Sequence, residues 1–139
     1  MHYDSVTPML HVSNIRASLD FYQTRLGFTR VSSDAQLRDW RWARVVCGRC
    51  DFMLMETLAD LHLPQGCDAE TNTGWPVQLY FLLDDVETLY QRLCAQGCTV
   101  SALRQTKYGL MEFSMQDPDG HMLGFGRDLL DEHDELKRE

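Results

Sequence analysis

The segment TPMLHVSNIRASLDFYQTRLGF (residues 7–28) decides the fold, because the segment VQLYFLLDDVETLYQRLCAQGCTV (residues 77–100) repeats its design. Each segment runs from an apolar strand through a capped amphipathic helix to a glycine. When Asn14 is aligned with Asp85, Gly27 falls within one residue of Gly97. An internal repeat constrains the architecture more strongly than any single motif does. It also directs the search for a ligand site to the space between the two copies.

Each copy predicts the element order βαβββ within an α+β fold. Asn14 and Asp85 are the predicted helix N-caps, because their side-chain oxygens can accept hydrogen bonds from free backbone N–H groups. Glycines end both helices. Strands of the first copy are expected at about Val6–Val12, Phe28–Ser32, Trp40–Val46 and Phe52–Glu56. Strands of the second copy are expected at about Val77–Leu83, Thr99–Leu103, Leu110–Met115 and Met122–Phe125.

The chain of 139 residues is interpreted as a single domain, with repeats at about 6–56 and 76–126. A linker is expected at about 57–75, where Pro, Gly, Asn and Asp occur without a clear period. A charged C-terminal tail is expected from Arg127 onward. The sequence Asp117-Pro118-Asp119-Gly120 predicts a tight turn between the last two strands.

Composition and charge favour a soluble globular protein over several other classes. Hydrophobic residues make up 44% of the chain and charged residues 24%. A formal net charge of −8 argues against a nucleic-acid partner and is compatible with a cationic ligand, or it serves solubility alone. The sequence has neither an apolar run of membrane length nor a basic-then-apolar leader. We therefore expect a cytoplasmic protein without a membrane partner.

The five cysteines are odd in number, which disfavours a disulfide framework. Four thiolates, from Cys47, Cys50, Cys94 and Cys98, would suffice for a tetrahedral zinc site. The first two flank an expected hairpin turn, and the other two lie at the end of the second helix. Buried small hydrophobic residues are the preferred interpretation of all four.

Alternation along the strands assigns side chains to two faces of each sheet. The helix-facing sets are predicted to be Pro8, Leu10, Val12, Met53 and Met55 in the first copy, and Leu79, Phe81, Leu83, Leu123 and Phe125 in the second. The opposite face is predicted to carry Thr7, Met9, His11, Trp40, Trp42, Arg44, Leu54 and Glu56, and Gln78, Tyr80, Leu82, Leu110, Glu112, Met122 and Gly124. Aromatic and thioether groups with sparse polar groups are typical of a ligand cavity. The alternative is a face packed against another subunit.

The order of these motifs resembles that of the vicinal oxygen chelate superfamily, which includes glyoxalases, bleomycin-resistance proteins and extradiol dioxygenases. The resemblance covers nearly everything from Val6 to Gly126. It rests on Ser18-Leu-Asp-Phe21-Tyr22 with Leu26-Gly27-Phe28, on Leu83-Asp84-Asp85-Val86, and on Glu112-Phe113 with Asp117-Pro118-Asp119-Gly120. It implies that the two βαβββ modules form an incomplete barrel around a ligand cavity.

Metal-dependent members of that superfamily hold an ion with four side chains, and the resemblance places those positions at Thr7, Glu56, Gln78 and Gly124. Of these, only Glu56 is of the usual ligand type, and Gly124 offers no side chain. His11 lies about 13 Å beyond Thr7 at ordinary strand rise, too far to replace it. His121 is interpreted as a turn residue. We therefore expect no metal, no other cofactor and no catalytic residue.

The remaining features resemble the bleomycin-resistance branch, whose members are homodimers that bind a drug without transforming it. The expected ligand-binding residues are Trp40, Trp42, Arg44, Glu56, Gln78, Tyr80, Tyr108 and Glu112. Aromatic rings suit flat or cationic groups, and carboxylates suit cations. For the tryptophans, packing at a dimer interface is the alternative, and for Arg44 and Glu112 it is a mutual salt bridge.

Three functions therefore remain open. The first is a metal-free protein that sequesters a small, partly planar ligand such as a bleomycin-type antibiotic. The second is a metal-dependent lyase, isomerase or dioxygenase of the same superfamily, supported by Glu56 and Gln78. The third is a protein-interaction module that uses the tryptophan face. A homodimer is expected, because an exposed face carrying Met9, Trp40, Trp42 and Tyr80 would be unusual for a soluble monomer.

Overall fold

The computed structural model describes residues 1–63 and 74–129. The chain forms two compact units, Met1–His62 and Leu63–Glu139, each built on one four-stranded sheet. Residues 64–73 of the expected linker and residues 130–139 of the expected tail lie outside the described residues. Of the described helices, none is long and apolar enough to cross a membrane.

The first unit has a mixed sheet in the order β1-β4-β3-β2. Its elements are β1 (Met9–Val12), α1 (Ile15–Asp20) with a π-helical continuation (Phe21–Arg25), β2 (Thr29–Arg30), α2 (Asp34–Trp40), β3 (Trp42–Cys47) and β4 (Cys50–Glu56). The first and last strands of the unit, β1 and β4, pair in parallel. Strand β3 pairs with both β2 and β4 in the antiparallel direction.

The second unit has the same topology, in the order β5-β8-β7-β6. Its elements are β5 (Leu79–Leu82), α3 (Val86–Ala95), β6 (Arg104–Gln105), β7 (Leu110–Gln116) and β8 (Met122–Asp128). Met9 pairs with Met53 and Leu79 pairs with Leu123, so the parallel strands join residues 44 positions apart in both units (53 minus 9, and 123 minus 79). The α+β class and the repeated module are confirmed.

Helix α2 departs from the predicted βαβββ order. It begins with a capping box, in which Ser33 Oγ accepts from the Gln36 backbone N–H and Gln36 Oε1 accepts from the Ser33 N–H. The helix ends at Trp40, which was expected to begin a strand. The spacing Ser33-x-x-Gln36 is a recognised helix-start signal, so the sequence contained the information for this helix.

The predicted helix caps and tight turn are confirmed. Asn14 Oδ1 accepts from the Ala17 N–H, and an Asp85 carboxylate oxygen accepts from the Thr88 N–H, both at 3.1 Å. At the turn, the Gly120 N–H donates to the Asp117 carbonyl oxygen at 2.9 Å. Asp117 Oδ1 also accepts from the backbone N–H of residues 119 and 121. This turn therefore carries a local network that fixes the entry into β8.

Aromatic packing identifies the helix-facing side of each sheet. In the second unit, Tyr90 of α3 contacts Phe113, whose ring stacks on Phe125, which stacks in turn on Phe81. The prediction that Phe81 and Phe125 face the helix is confirmed. In the first unit, Tyr22 contacts Phe52 of β4 edge to face, with ring centroids 5.0 Å apart.

The predicted faces of β4 are wrong. Phe52 and Leu54 are buried at 2% and 0% exposure with Val45 and Ala43 opposite them, so they face the helix. By alternation, Met53 and Met55 lie on the other face. The run Phe52-Met-Leu-Met55 is apolar at every position, and therefore its hydrophobicity alone does not distinguish the two faces.

Three further expectations are corrected. The strand expected at Thr99–Leu103 is a short one, β6, and it starts at Arg104. Arg127 and Asp128 were assigned to the tail but belong to β8. The four described cysteines were expected to be buried, yet Cys47 and Cys94 are exposed and Cys50 and Cys98 are half-buried. Small hydrophobic packing therefore does not account for them.

Candidate functional site

The face of the first sheet opposite α1 combines sulfur, aromatic and charged groups. Register places Met9 beside Met53 and His11 beside Met55 on the parallel strands. On the antiparallel side, Trp42 lies beside Met55, and Arg44 lies beside Met53. Met9 is 42% exposed, and Met53, Met55 and Trp42 are half-buried. Flexible thioether groups adapt to irregular ligand shapes, so this face suits an apolar partner.

Arg44 is committed to a partner within its own hairpin. Its Nε donates to Asp51 Oδ1 at 2.8 Å, and a second guanidinium nitrogen donates to Asp51 Oδ2. The hydrogen bond from Arg44 lowers the pKa of the Asp51 carboxyl. The expected alternative for Arg44 was a salt bridge with Glu112, and the structure gives Arg44 the carboxylate of Asp51 instead. The two-residue turn between Cys47 and Cys50 sets the register of β3 and β4. In that register Asp51 lies opposite Val46, and it is therefore a diagonal neighbour of Arg44.

Trp40 and Trp42 are neighbours in space although they belong to different elements. Their ring centroids are 6.5 Å apart and the rings are tilted by 54°. Between them, Arg41 adopts the left-handed conformation with φ 52°, and this ends α2 and turns the chain into β3. Trp40 is 63% exposed. The two rings therefore form an aromatic pair at the edge of the first sheet's open face.

Glu56 does not lie on the open face, so its predicted placement is wrong. Its Oε2 accepts a hydrogen bond of 2.9 Å from the backbone N–H of Ile15, the first residue of α1. Its Oε1 lies 3.6 Å from a guanidinium nitrogen of Arg41. A carboxylate is stabilised at a helix N-terminus by the free N–H groups and the helix dipole. Glu56 therefore stabilises the N-terminus of α1.

The corresponding face of the second sheet is occupied by the ring of Tyr80. The hydroxyl of Tyr80 donates to Glu112 Oε2 at 2.6 Å, and Arg104 lies 3.9 Å from the other carboxylate oxygen. Burial is the main cause that raises the pKa of Tyr80, followed by the hydrogen bond to Glu112. The phenol therefore stays protonated and acts as the donor in its hydrogen bond with Glu112.

Two glycines of β8 make room for that ring. A Cβ built on Gly124 would lie 2.6 Å from Cδ2 of Tyr80, and one built on Gly126 would lie 2.1 Å from its hydroxyl oxygen. Neither glycine has a positive φ. The glycines are therefore required by the close approach of Tyr80 and not by the backbone conformation. The groove lined by Tyr80, Arg104, Glu112 and Gly124 is too narrow to admit a water molecule.

The four positions implied for a metal do not fit an ion. Gly124 has no donor, and the ring of Tyr80 fills the space that a donor side chain would need. Glu56 binds a helix terminus, which leaves Thr7 and Gln78 as neutral oxygen donors. Divalent ions in proteins take several ligands. Within residues 1–63 and 74–129, no group of three or more His, Cys, Asp or Glu is arranged to hold a metal ion.

The remaining predicted residues are spread over the second unit. Gln78 lies next to Gly124, with its Oε1 3.6 Å from the Cβ position built there. Tyr108 lies in the turn between β6 and β7, where it is 72% exposed and Lys107 Nζ is 5.2 Å from its ring centroid. The structure thus brings Tyr80, Glu112 and Gln78 to one sheet face, with Tyr108 at the end of the hairpin.

A separate pocket of about 300 Å³ lies on the helical side of the first unit. Its lining contains none of the predicted site residues, and consists of Arg16, Leu19, Asp20, Gln23, Arg30 and Leu37.

Residues 3–125 match the sequence profile of the glyoxalase/bleomycin resistance protein/dioxygenase superfamily. The chain belongs to this superfamily. Since the match covers most of both units, the predicted resemblance is confirmed, together with the glyoxalase/bleomycin-resistance fold.

Solved structures with this fold include several proteins of low sequence identity. An integron cassette protein from the mobile metagenome of the Halifax Harbour sewage outfall has a TM-score of 0.70 at 19% identity, over 90% of this chain and 99% of that chain. A genomically encoded fosfomycin resistance protein from Listeria monocytogenes has a TM-score of 0.69 at 14% identity, over 96% and 98%. A bleomycin-binding protein complexed with bleomycin has a TM-score of 0.63 at 22% identity, over 91% and 99%.

The comparison with curated protein sequences finds no match. At these identities, the solved structures establish the fold of the chain alone.

Proposed function

We propose that this protein is a metal-free binder that sequesters a small, partly planar ligand, with cationic antibiotics of the bleomycin type as the first class to test. The observation that carries this proposal is the ring of Tyr80 lying against Gly124, at a position where metal-dependent relatives hold a ligand side chain. Because the Tyr80 ring fills the space that a metal-coordinating side chain would need, the site favours ligand binding without a metal over metal-assisted chemistry.

The open faces supply the groups that such a ligand requires. Trp42 and the methionines of β4 offer adaptable apolar contact in the first unit. Trp40 and Tyr108 offer exposed aromatic rings, each worth about 0.5–2 kcal/mol for a favourable cationic contact. We propose Trp40, Trp42, Arg44, Gln78, Tyr80, Tyr108 and Glu112 as ligand contacts. Glu56 is omitted because it lies on the helix-facing side of the sheet, where it accepts from the first N–H of α1.

Charge determines which of these groups meet a cation. Glu112 is the carboxylate on the Tyr80 face, where it accepts a hydrogen bond from the neutral phenol and lies 3.9 Å from Arg104, which offsets part of its negative charge. Arg44 is neutralised by Asp51, so it does not repel a cation strongly. A net charge of −8 adds a favourable long-range field.

The fold likeness to a bleomycin-binding protein and to a fosfomycin resistance protein supports antibiotic resistance as the biological setting. We also propose a homodimer in the cytoplasm. The exposed apolar side chains of Met9 and Trp40 in the first unit, and of Val77 and Leu82 in the second, support association, because a partner chain would remove this apolar surface from water.

Fluorescence titration tests the proposal directly. Metal-free bleomycin should quench the tryptophan emission of the wild-type protein with a saturable dependence. Trp42→Leu should weaken binding by about 10-fold, which corresponds to 1.4 kcal/mol. Trp75→Phe is the matched control and should leave the affinity within about 2-fold. An absence of quenching, together with no protection of cells, would exclude bleomycin as the ligand.

The enzymatic alternative is tested on the same preparation. Elemental analysis of protein purified without chelator should detect no stoichiometric Fe, Mn, Ni or Zn after gel filtration. A retained metal that is lost in Gln78→Ala would contradict the metal-free proposal and establish the enzyme interpretation.

A further inference from the structure

The tip of the β3–β4 hairpin carries a pair of thiols. Cys47 is the last residue of β3, Cys50 is the first residue of β4, and the two are directly opposed in the antiparallel register. Only Gly48 and Arg49 separate them, and Gly48 provides the positive φ of 57° that a two-residue turn requires. Cys47 is exposed and Cys50 is half-buried.

The register of the two strands brings the backbones of Cys47 and Cys50 close enough for a disulfide. Directly opposed residues of antiparallel strands have Cα atoms about 4.5–5.5 Å apart. Cystines span about 4.4–6.8 Å between their Cα atoms. The Cα separation expected for this register therefore falls within the range that a cystine spans.

We propose that Cys47 and Cys50 form a reversible dithiol–disulfide site that responds to the redox state of small thiols. The site is independent of the ligand-binding function proposed above, because its two residues lie at the hairpin tip and not among the proposed ligand contacts.

The two cysteines take different parts in the exchange. The Cys47 thiolate is accessible, so it attacks one sulfur of a low-molecular-weight disulfide such as oxidised glutathione and releases one glutathione thiolate. The Cys50 thiol then loses its proton and attacks the Cys47 sulfur, which releases the second glutathione. Both protein thiols are oxidised to one disulfide, and one glutathione disulfide is reduced to two thiols.

Burial and the neighbouring Cys47 raise the pKa of the Cys50 thiol, which makes Cys50 the weaker attacking group in the first step. This difference fits the order in which Cys47 reacts first and Cys50 resolves the mixed disulfide.

The position of the pair at the hairpin tip also makes the disulfide readily reversible. A disulfide that closes a loop of only two residues removes little entropy from the unfolded chain, so it adds little stability. Exposed disulfides are also the ones most readily reduced. The bond should therefore form in an oxidising glutathione buffer and open again in a reducing one.

Peptide mapping after redox equilibration tests the proposal. The native protein is incubated with reduced or oxidised glutathione, free thiols are alkylated, and the chain is digested with trypsin, which cuts after Arg49. Oxidised samples should contain peptide 45–49 linked to the peptide that begins at Cys50, with a loss of about 2 Da that dithiothreitol reverses.

Cysteine variants identify the linked pair, since the second peptide also contains Cys67. Cys50→Ser should abolish the link, whereas Cys67→Ser and Cys94→Ser should retain it. The proposal is overturned if the link persists in Cys50→Ser. It is equally overturned if wild-type protein stays reduced in oxidised glutathione or stops at a glutathione adduct on Cys47. The assay on wild-type protein decides the matter even if a variant fails to fold.

Discussion

The phenol ring of Tyr80 lies so close to Gly124 that a Cβ on the glycine would be 2.6 Å from Cδ2 of the ring. The backbone of Gly124 has no positive φ, so any residue could adopt its conformation. The absence of a side chain at Gly124 is therefore what allows the Tyr80 ring to lie against β8. This pairing covers one face of the second sheet with a neutral ring, beside the carboxylate of Glu112 and the guanidinium of Arg104.

Substitution of Gly124 tests that pairing. Gly124→Ala should destabilise the protein by about 1–3 kcal/mol, because the new methyl group meets the tyrosine ring. Urea denaturation measures the loss. In a Tyr80→Ala background, the same substitution should be nearly neutral. Equal costs in the two backgrounds would show that Tyr80 is not the cause.

Glu56 should contribute to stability and not to ligand binding. Glu56→Ala removes a charged acceptor from the N–H of Ile15 and should cost about 1.5–3 kcal/mol. Glu56→Gln retains an oxygen acceptor and should cost less than ~1 kcal/mol. Asp60→Asn is an exposed control with an expected change within about 0.5 kcal/mol. A loss of ligand affinity in Glu56→Gln without a loss of stability would contradict this assignment.

The corrected faces of β4 predict a contrast between neighbouring residues. Leu54→Ala should cost about 2–5 kcal/mol, because the side chain is fully buried and leaves a cavity. Met53→Ala should cost clearly less, because Met53 is on the half-buried open face. Chemical denaturation of both variants measures the difference. A larger loss in Met53→Ala would restore the face assignment expected from the sequence.

The ion pair between Glu87 and Arg127 predicts an acid-dependent loss of stability. The hydrogen bond from Arg127 lowers the pKa of the Glu87 carboxyl, so folding favours its ionised form. A group whose pKa is lowered by folding stabilises the protein above its ordinary pKa. That stability is lost as the pH falls through the lowered value.

Arg127→Met tests the pair by comparison with wild type between pH 7 and pH 3. The difference in unfolding free energy should be below ~1 kcal/mol at neutral pH and should shrink toward zero in acid. Arg49→Met is the control, since Arg49 makes no ion pair within the described residues. A difference that stays constant with pH would assign the effect to lost packing.

Assembly is predicted from the exposed apolar side chains. Light scattering at micromolar concentration should give twice the chain mass of 16.1 kDa. Trp40→Ser should weaken association, since Trp40 is 63% exposed within one chain. Val31→Ser, at another exposed apolar residue, is the control and should leave the mass unchanged. A wild-type mass that stays at one chain on concentration would refute the dimer.

Local chemistry made much of the fold predictable. The side chains of Asn14 and Asp85 cap their helices by accepting from N–H groups only three residues ahead. Residues 117–120 likewise form a turn through their own side chains and backbone. The faces of β8 were predictable because Gly124 and Gly126 alternate with large apolar residues. These features depend on neighbours in sequence, and sequence patterns report such neighbours directly.

The errors concern contacts between distant residues. Glu56 was assigned to the open face by alternation along β4, together with Leu54, but its partner is an N–H group 41 positions away on the helix side. Asp51 was not predicted as the partner of Arg44, although the short Cys47–Cys50 turn fixes a register that makes the two residues diagonal neighbours across β3 and β4. The ligand residues remain predictions, because side-chain type alone does not show which rings a ligand contacts.

The parallel pairing of first and last strands has a consequence for synthesis on the ribosome. Met9 can pair with Met53, and Leu79 with Leu123, only after 44 further residues have emerged from the ribosome. Neither sheet can close while its module is incomplete, and loop closure over such a distance slows folding. The first strand of each module should therefore remain exposed to proteases and chaperones until its last strand is translated.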